Sequence, residues 1–388
     1  MKMKKILQMI ALSLTIGALS ALSSAVFLTS LNWVRSLQTL NQWSYFFLPL
    51  GGVLTLALYQ MSNESARGNN LILDRIYHKG AILPWLMAPL VFLGTLITHL
   101  LGGSAGREST AVQMSAGLTD QLQRWIKLDA GQRQSLLTAG IGAGFATAIG
   151  TPLAGVIFSV EVLRAKGFQF IGFPQSVIAC FSGYYILDFL NFEHYHYPSF
   201  ELDHQLFWFL PLIIAAFCFG LLALLFCTLT QKIKKLLDTH FSIYWHPIIA
   251  GVILILIYSL IPSSQQAQGL GLSTIKASFS SDMPWWQSVE KLLLTSITIA
   301  GGFKGGEFTP LVYIGSTAGS FLSTLLPLPK ALLCSAGFAA VFAAASRTPL
   351  ACAIMCAEIF GAELFPYALF TCFLSYLFCL KHGLYQQR

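Results

Sequence analysis

Gly102-Gly103-Ser104-Ala105-Gly106-Arg107-Glu108-Ser109-Thr110 is matched, 199 residues on, by Gly301-Gly302-Phe303-Lys304-Gly305-Gly306-Glu307-Phe308-Thr309. Both stretches are glycine-rich, lie between apolar runs, and carry a glutamate two residues before a threonine. A second pair follows in the same order, 197 residues apart: Thr151-Pro152-Leu153-Ala154 ending at Glu161, and Thr348-Pro349-Leu350-Ala351 ending at Glu358. Two matched pairs at nearly one offset mark an internal duplication, with approximate halves 35–235 and 240–380. In a membrane protein, duplicated halves with Gly-interrupted apolar segments point to a substrate site near the bilayer midplane.

The rest of the chain supports that class. It is 55% hydrophobic and 10% charged, with mean hydropathy +0.67, where soluble domains carry about 25% charged residues. Gln205 to Gln231 holds no charge, and apolar runs at 6–33, 45–61, 81–101, 135–163, 170–187, 242–261, 288–302, 308–328 and 331–380 are further candidate spans. Hydrocarbon leaves backbone polar groups no outside partner, so these runs read as helices. Pro152 divides the fourth of them, and Pro349 and Pro366 divide the last. The expected fold is all-α and polytopic: one transmembrane domain over 1–388, in two halves with broken and re-entrant helices, and no cytoplasmic regulatory domain.

The start, Met1-Lys2-Met3-Lys4-Lys5 before an apolar run, imitates a secretory signal. The run continues to Trp33, longer than a signal core, and is expected to be retained. Basic clusters at Lys2/Lys4/Lys5, Arg164/Lys166 and Lys232/Lys234/Lys235 flank a 191–204 loop without Lys or Arg. The positive-inside rule makes the clusters cytoplasmic and that loop external; it leaves the basic 124–133 segment unassigned. The net charge of +7 reflects these loops, and no basic aromatic-rich stripe indicates nucleic acid. The eight cysteines lie in apolar runs and read as small buried hydrophobes. Glu193, His194 and His196 with Asp203 and His204 read as a solvated loop, because no rigid spacing fixes them as metal ligands. Neither a metal nor a cofactor is expected.

The chemistry lies in the glycine breaks. A break before a helix exposes unpaired N–H groups and the positive end of the helix dipole, which together hold an anion without a full positive charge. Gly106 before a helix from about Ser109, and Gly305-Gly306 before one from Phe308, fit this; Gly68-Asn69-Asn70 before Leu71 is a third candidate. A buried, unpaired charge on Glu108 costs several kcal/mol. The side chain can occupy the anion site itself when ionised and leave when protonated, exchanging a proton for an anion. Glu307 is a second proton station or a polar anchor. Thr110 and Thr309 offer hydroxyl donors. Arg107 reads as a packing or ion-pair residue, and Glu161 and Glu358 as caps or pairing groups. Gly-Ile-Gly-Ala-Gly (140–144) and Ala336-Gly337 are small enough for close helix packing.

These residues resemble the CLC anion channels and transporters. Gly106-Arg107-Glu108 with Val112-Gln113 is similar to the family's Gly-Arg-Glu-Gly-Pro segment, and Gly305-Gly306-Glu307-Phe308-Thr309-Pro310 to its Gly-x-Phe-x-Pro segment. Thr151-Pro152-Leu153-Ala154-Gly155 with Glu161 resembles the helix pair that follows. The resemblance covers about 50–388. It implies a homodimer with one anion pathway per subunit, Glu108 as external gate, and Tyr385 as the central tyrosine. The implied anion ligands are Gly68, Asn69, Asn70, Gly106, Ser109, Thr110, Gly306, Phe308, Thr309 and Tyr385, with Glu108 and Glu307 coupling protons.

Departures from the family pattern choose a branch. Asn69 replaces the filter serine, Ile72 a proline, Ser109-Thr110 the Gly-Pro, and Val162 the internal proton-transfer glutamate. The segment 304–310 is similar to the fluoride-exporting branch, so the resemblance implies a fluoride/proton antiporter in a bacterial inner membrane. Its partners are then fluoride or chloride, protons and lipid. A chloride/proton exchanger or passive chloride channel of the same fold is the alternative. A more distant one is an intramembrane hydrolase built on Ser104 and His99.

Overall fold

Proline and glycine cut the apolar runs into sixteen α-helices among the described residues. The computed structural model describes residues 2–388 except 42, 79, 164–169, 202–204, 380–382 and 385–388. In order the helices are α1 (Lys2–Leu40), α2 (Leu48–Gln60), α3 (Asn69–His78), α4 (Met87–Leu100), α5 (Glu108–Gln121), α6 (Ala130–Ile149), α7 (Pro152–Glu161), α8 (Phe173–Phe189), α9 (Phe209–His240), α10 (His246–Leu260), α11 (Leu272–Ser278), α12 (Trp285–Ala300), α13 (Phe308–Leu322), α14 (Lys330–Ser346), α15 (Pro349–Phe360) and α16 (Phe365–Phe378). Pro152, Pro349 and Pro366 each fall in a first turn, where the missing N–H costs nothing. The run 135–163 is thus α6 and α7, and 331–380 is α14, α15 and α16.

The other spans are shorter than hydropathy implies. Only the stretches Met3–Leu40 and Leu206–His240, among the described residues, are long and apolar enough to cross a bilayer unaided; the remaining apolar helices run 10–17 residues, below the roughly 20 a crossing needs. Hydropathy measures apolar length and does not see where a glycine ends the helix. The breaks lie inside protein, where irregular backbone is tolerated at membrane depth.

The N-terminal run is part of the core. Ile16, Phe27 and Leu31 of α1 are fully buried, and Ser20 and Ser24 share hydrogen bonds of 2.6 and 2.8 Å with Ser115 of α5 and Thr147 of α6. Elsewhere small residues bring backbones together: a Cβ on Gly315 of α13 would stand 1.9 Å from the Gly337 carbonyl of α14. Lys5 lies 3.9 Å from Asp129, which sets the 124–133 segment on the same side as the N-terminus. Arg164 and Lys166 lie outside the described residues.

Equivalent elements of the halves meet antiparallel, the arrangement of an inverted repeat. Helices α7 and α15 cap each other. Glu161, at the end of α7, accepts from the backbone N–H groups of Leu350 and Ala351 at 3.1 and 2.8 Å. Glu358, near the end of α15, accepts from Leu153 and Ala154 at 2.9 and 2.8 Å. Each carboxylate satisfies two orphan donors and sits at the positive end of a helix dipole. Pairing was the role expected of these two glutamates; its reciprocity was not.

Candidate functional site

The loops before α5 and α13 cross at two glycines. Gly106 N–H donates to the Gly306 carbonyl at 2.5 Å, and Gly306 N–H donates to the Gly106 carbonyl at 2.8 Å. A Cβ on Gly306 would come within 3.0 Å of the Ser109 nitrogen and 3.3 Å of those of Arg107 and Glu108; one on Gly106 would come within 3.0 Å of the Thr309 nitrogen. The first-turn N–H groups of both helices therefore gather around one point, and their dipoles add there. Both helices start where the breaks predict, with α5 one residue early, at Glu108; α3 likewise starts at Asn69, directly after Gly68.

The carboxylate of Glu108 already sits at this point. It is 3% exposed. The Thr309 hydroxyl is 2.8 and 2.7 Å from its two oxygens, the Arg107 backbone N–H donates at 3.1 Å, and Arg107 Nε lies at 3.4 Å. Across the joint the Ser109 hydroxyl donates to Glu307 at 2.9 Å. Each half thus supplies a hydroxyl to the other half's glutamate.

The structure corrects the register of the repeat. The left-handed turn glycines are Gly102 (φ 74°) and Gly302 (φ 89°), the bridge joins Gly106 to Gly306, and the helices begin at Glu108 and Phe308. The offset here is 200, so Glu108 corresponds to Phe308, Glu307 to Arg107, and Ser109 to Thr309. Matching Glu to Glu and Thr to Thr shifts the comparison by one residue. Thr110 consequently does not reach the joint: its hydroxyl pairs with Thr95 of α4 at 2.8 Å. The second pair keeps its offset of 197: Gly150 (φ 91°) and Arg347 (φ 64°) are both left-handed, and each precedes a Thr-Pro helix start.

Three cavities border the joint and its flanking residues. An inner one of about 300 Å³ is lined by Gly68, Asn69, Asn70, Gln113, Lys304 and Glu307, beside Lys234 and Asp238. A middle one of about 20 Å³ touches Asn69, Glu108 and Ser109 and is walled by Phe145, Phe158, Val162, Phe308 and Phe342. An outer one of about 350 Å³ is lined by Arg35, Arg107, His194 and Lys276. Asn69 borders the first two, and Glu108 stands between the second and Arg107. The Asn69 Oδ1 is buried with no partner among the described residues. Leu384 lines the inner cavity, while Tyr385 lies outside the described residues.

The outer cavity is lined by the 191–204 loop through His194 and its neighbours. The ring of His194 packs on Gly150, where a Cβ would fall 2.8 Å from it. Burial, then the charges of Arg107 and His196, hold its imidazole down at about 4. Among the described residues no three His, Cys, Asp or Glu side chains converge as a metal site; Asp203 and His204 lie outside them. Ser104 donates to the Ala267 carbonyl and pairs with Thr295, both at 2.9 Å, while His99 Nε2 faces the Gly106 carbonyl at 3.4 Å. No hydrogen bond joins these two residues, which a hydrolase would need to pair. Gln113, quoted above only for its family segment, packs on Gly68, and the four phenylalanines of the wall come from three separate apolar stretches.

The voltage gated chloride channel family matches residues 51–380. The chain belongs to that family. It is 37% identical, over 97% of its length and 85% of the relative's, to a "Chloride/fluoride channel protein" of Pseudomonas syringae pv. tomato. Its structure resembles that of "a CLC-type fluoride/proton antiporter", with TM-score 0.94, 30% identity and 98% of each chain covered. It also shares the fold of "a slow cyanobacterial Cl-/H+ antiporter", with TM-score 0.82, 23% identity, and 96% and 94% covered. As a member of an ion-transporter family, the protein works in a membrane.

Proposed function

We propose that this protein is a fluoride/proton antiporter that exports fluoride, working as a homodimer in a bacterial plasma membrane with one pathway per subunit. Each subunit is one transmembrane domain. The observation that carries the reading is the Glu108 carboxylate held at the joint helix N-termini by the Thr309 hydroxyl. An ionised Glu108 fills the site. Protonation removes its charge and its claim on these donors, and a halide from the inner cavity then takes them. The two occupants exclude each other, which links anion movement to proton movement. Glu307, held by Ser109, stands on the inner side as the second proton station, replacing the acid absent at Val162.

The anion is assigned by chemistry and by kinship. A middle cavity of about 20 Å³ has room for about one water-sized particle, which favours the smallest halide. Asn69 borders it, and turning that amide presents two N–H donors where a serine would offer one. The relatives named for fluoride are the more similar ones. The test is fluoride efflux from proteoliposomes with simultaneous proton recording. Uphill proton movement driven by a fluoride gradient is expected; rapid chloride flux without fluoride preference overturns the assignment. The chloride/proton exchanger remains the second reading, on the strength of the exchange transporter of Klebsiella pneumoniae that is 24% identical over 91% of the chain. A reversal potential indifferent to the pH gradient would instead indicate a passive channel.

A further inference from the structure

Lys304 has no part in the scheme above. It precedes Glu307 by three residues and lines the inner cavity with Gly68, Asn69 and Glu307. Its stem is housed by other elements. A Cβ on Gly94 of α4 would lie 2.9 Å from Lys304 Cγ, so only a glycine lets the chain lie flat there. The ammonium stands 4.2 Å from the ring centroid of Tyr59 and 3.5 Å from the Ala66 carbonyl.

Of the other charges around it, Arg67 pairs with Asp74, and Asp238 lies 3.7 Å from the His246 ring, which carries charge only when protonated. Among the described residues no carboxylate comes within 4.0 Å of Lys304 or of Lys234 across the cavity. Glu307 would be the obvious partner, yet the ammonium lies over the Tyr59 ring instead. A cation–π contact steadies an ammonium but does not neutralise it. A cation without a carboxylate partner, beside a cavity at membrane depth, marks an ion path.

We propose that Lys304 is the loading residue at the cytoplasmic mouth. It draws a small, still hydrated anion into the inner cavity before the anion sheds water and passes Asn69. The cavity of about 300 Å³ admits a partly hydrated ion, since each water occupies about 30 Å³. Withholding the lysine from Glu307 keeps that glutamate available to protons and the ammonium available to the anion. The inference rests on the antiport reading and adds a binding step to it.

The experiment measures fluoride/proton exchange by the full-length protein, reconstituted in one orientation, with fluoride varied at one face at a time. For Lys304→Met the KM at the cytoplasmic face is expected to rise about fivefold to tenfold, roughly the loss of one screened charge contact. The outer-face KM and the number of protons moved per fluoride stay as in wild type, and Lys304→Arg restores the KM to within about twofold. In wild type, an impermeant salt raises the inner KM by screening and leaves the outer one alone. An unchanged inner KM in Lys304→Met, or failure of Lys304→Arg to restore it, overturns the proposal. If the variant does not fold, equal salt sensitivity at both faces of wild type overturns it. A wild type that moves no fluoride against protons refutes the antiport reading instead, and the same comparison then runs with chloride.

Discussion

The breaks before α5 and α13 share a left-handed glycine, a bridging glycine and a helix start, yet they hold their glutamates one residue apart. Glu108 is the first residue of its helix, buried, and folded back on the Arg107 N–H. Glu307 is the residue before its helix, makes no side-chain cap, and borders the inner cavity. A shift of one position turns a side chain by about 100° around a helix start. The duplicated loop therefore yields two carboxylates with different surroundings, one buried at the joint and one beside the larger cavity. The difference in surroundings follows from a displacement of one residue on two loops that share their bridging glycines and helix starts.

Neutralising each glutamate is the harshest test of that asymmetry. Glu108→Gln is expected to lower coupled exchange on the order of a hundredfold or more, the scale of losing a group that contacts the reacting charge. Glu307→Gln should cut proton flux while fluoride still moves. Simultaneous fluoride and proton recording separates them, and equal effects would erase the distinction.

The reciprocal caps invite the same comparison with a stability readout. Glu161 is 1% exposed, and Glu161→Ala is expected to cost about 2–3 kcal/mol, the range for buried bonds to a charged group. Glu358 is half-buried, so Glu358→Ala should cost about 1 kcal/mol, as for an ordinary cap. Thermal unfolding in detergent measures both; the reverse order would contradict the burial.

A smaller contrast separates the two hydroxyls. Thr309→Val should slow exchange about tenfold, since its hydroxyl lies near both Glu108 oxygens and a bond to a charged group is worth about 1.5 kcal/mol. Ser109→Ala should slow it about threefold or less, because the bond goes to one oxygen of the more open Glu307.

The smallest effect concerns the two left-handed helix ends. Gly150 carries the His194 ring, whereas its counterpart Arg347 packs against Gly383. With His194 held down at about 4 from an ordinary 6.5, the unfolded loop binds more protons between those values. The docked loop is then fully stabilised above about pH 6.5 and loses that contribution as pH falls toward 4. Hydrogen exchange across the outer loop should rise over that window in wild type and stay flat in His194→Phe.

Much of this was legible in the sequence. Composition gave the membrane class, and Pro152, Pro349 and Pro366 gave the helix starts because a ring without N–H is accepted only there. Glu108 stood out because a carboxylate beside an exposed helix start must have a use. The register was not legible. Each loop begins with two glycines, Gly102-Gly103 and Gly301-Gly302, and either can take a positive φ; only the folded chain shows that the first does so in one half and the second in the other. The housing of Lys304 was hidden for another reason. Gly94 and Tyr59 come from helices more than 200 positions away, and nothing in the local pattern around 304 mentions them.

The mutual N–H···O bonds of Gly106 and Gly306 carry a mechanical consequence. Many inverted-repeat transporters alternate access by rocking one repeat against the other. Here such a tilt would tear main-chain bonds at the pivot itself, where buried amides have no solvent to turn to. The scaffold must stay welded through each turnover, so access has to alternate by swings of individual residues over a few ångströms, with both repeats standing still.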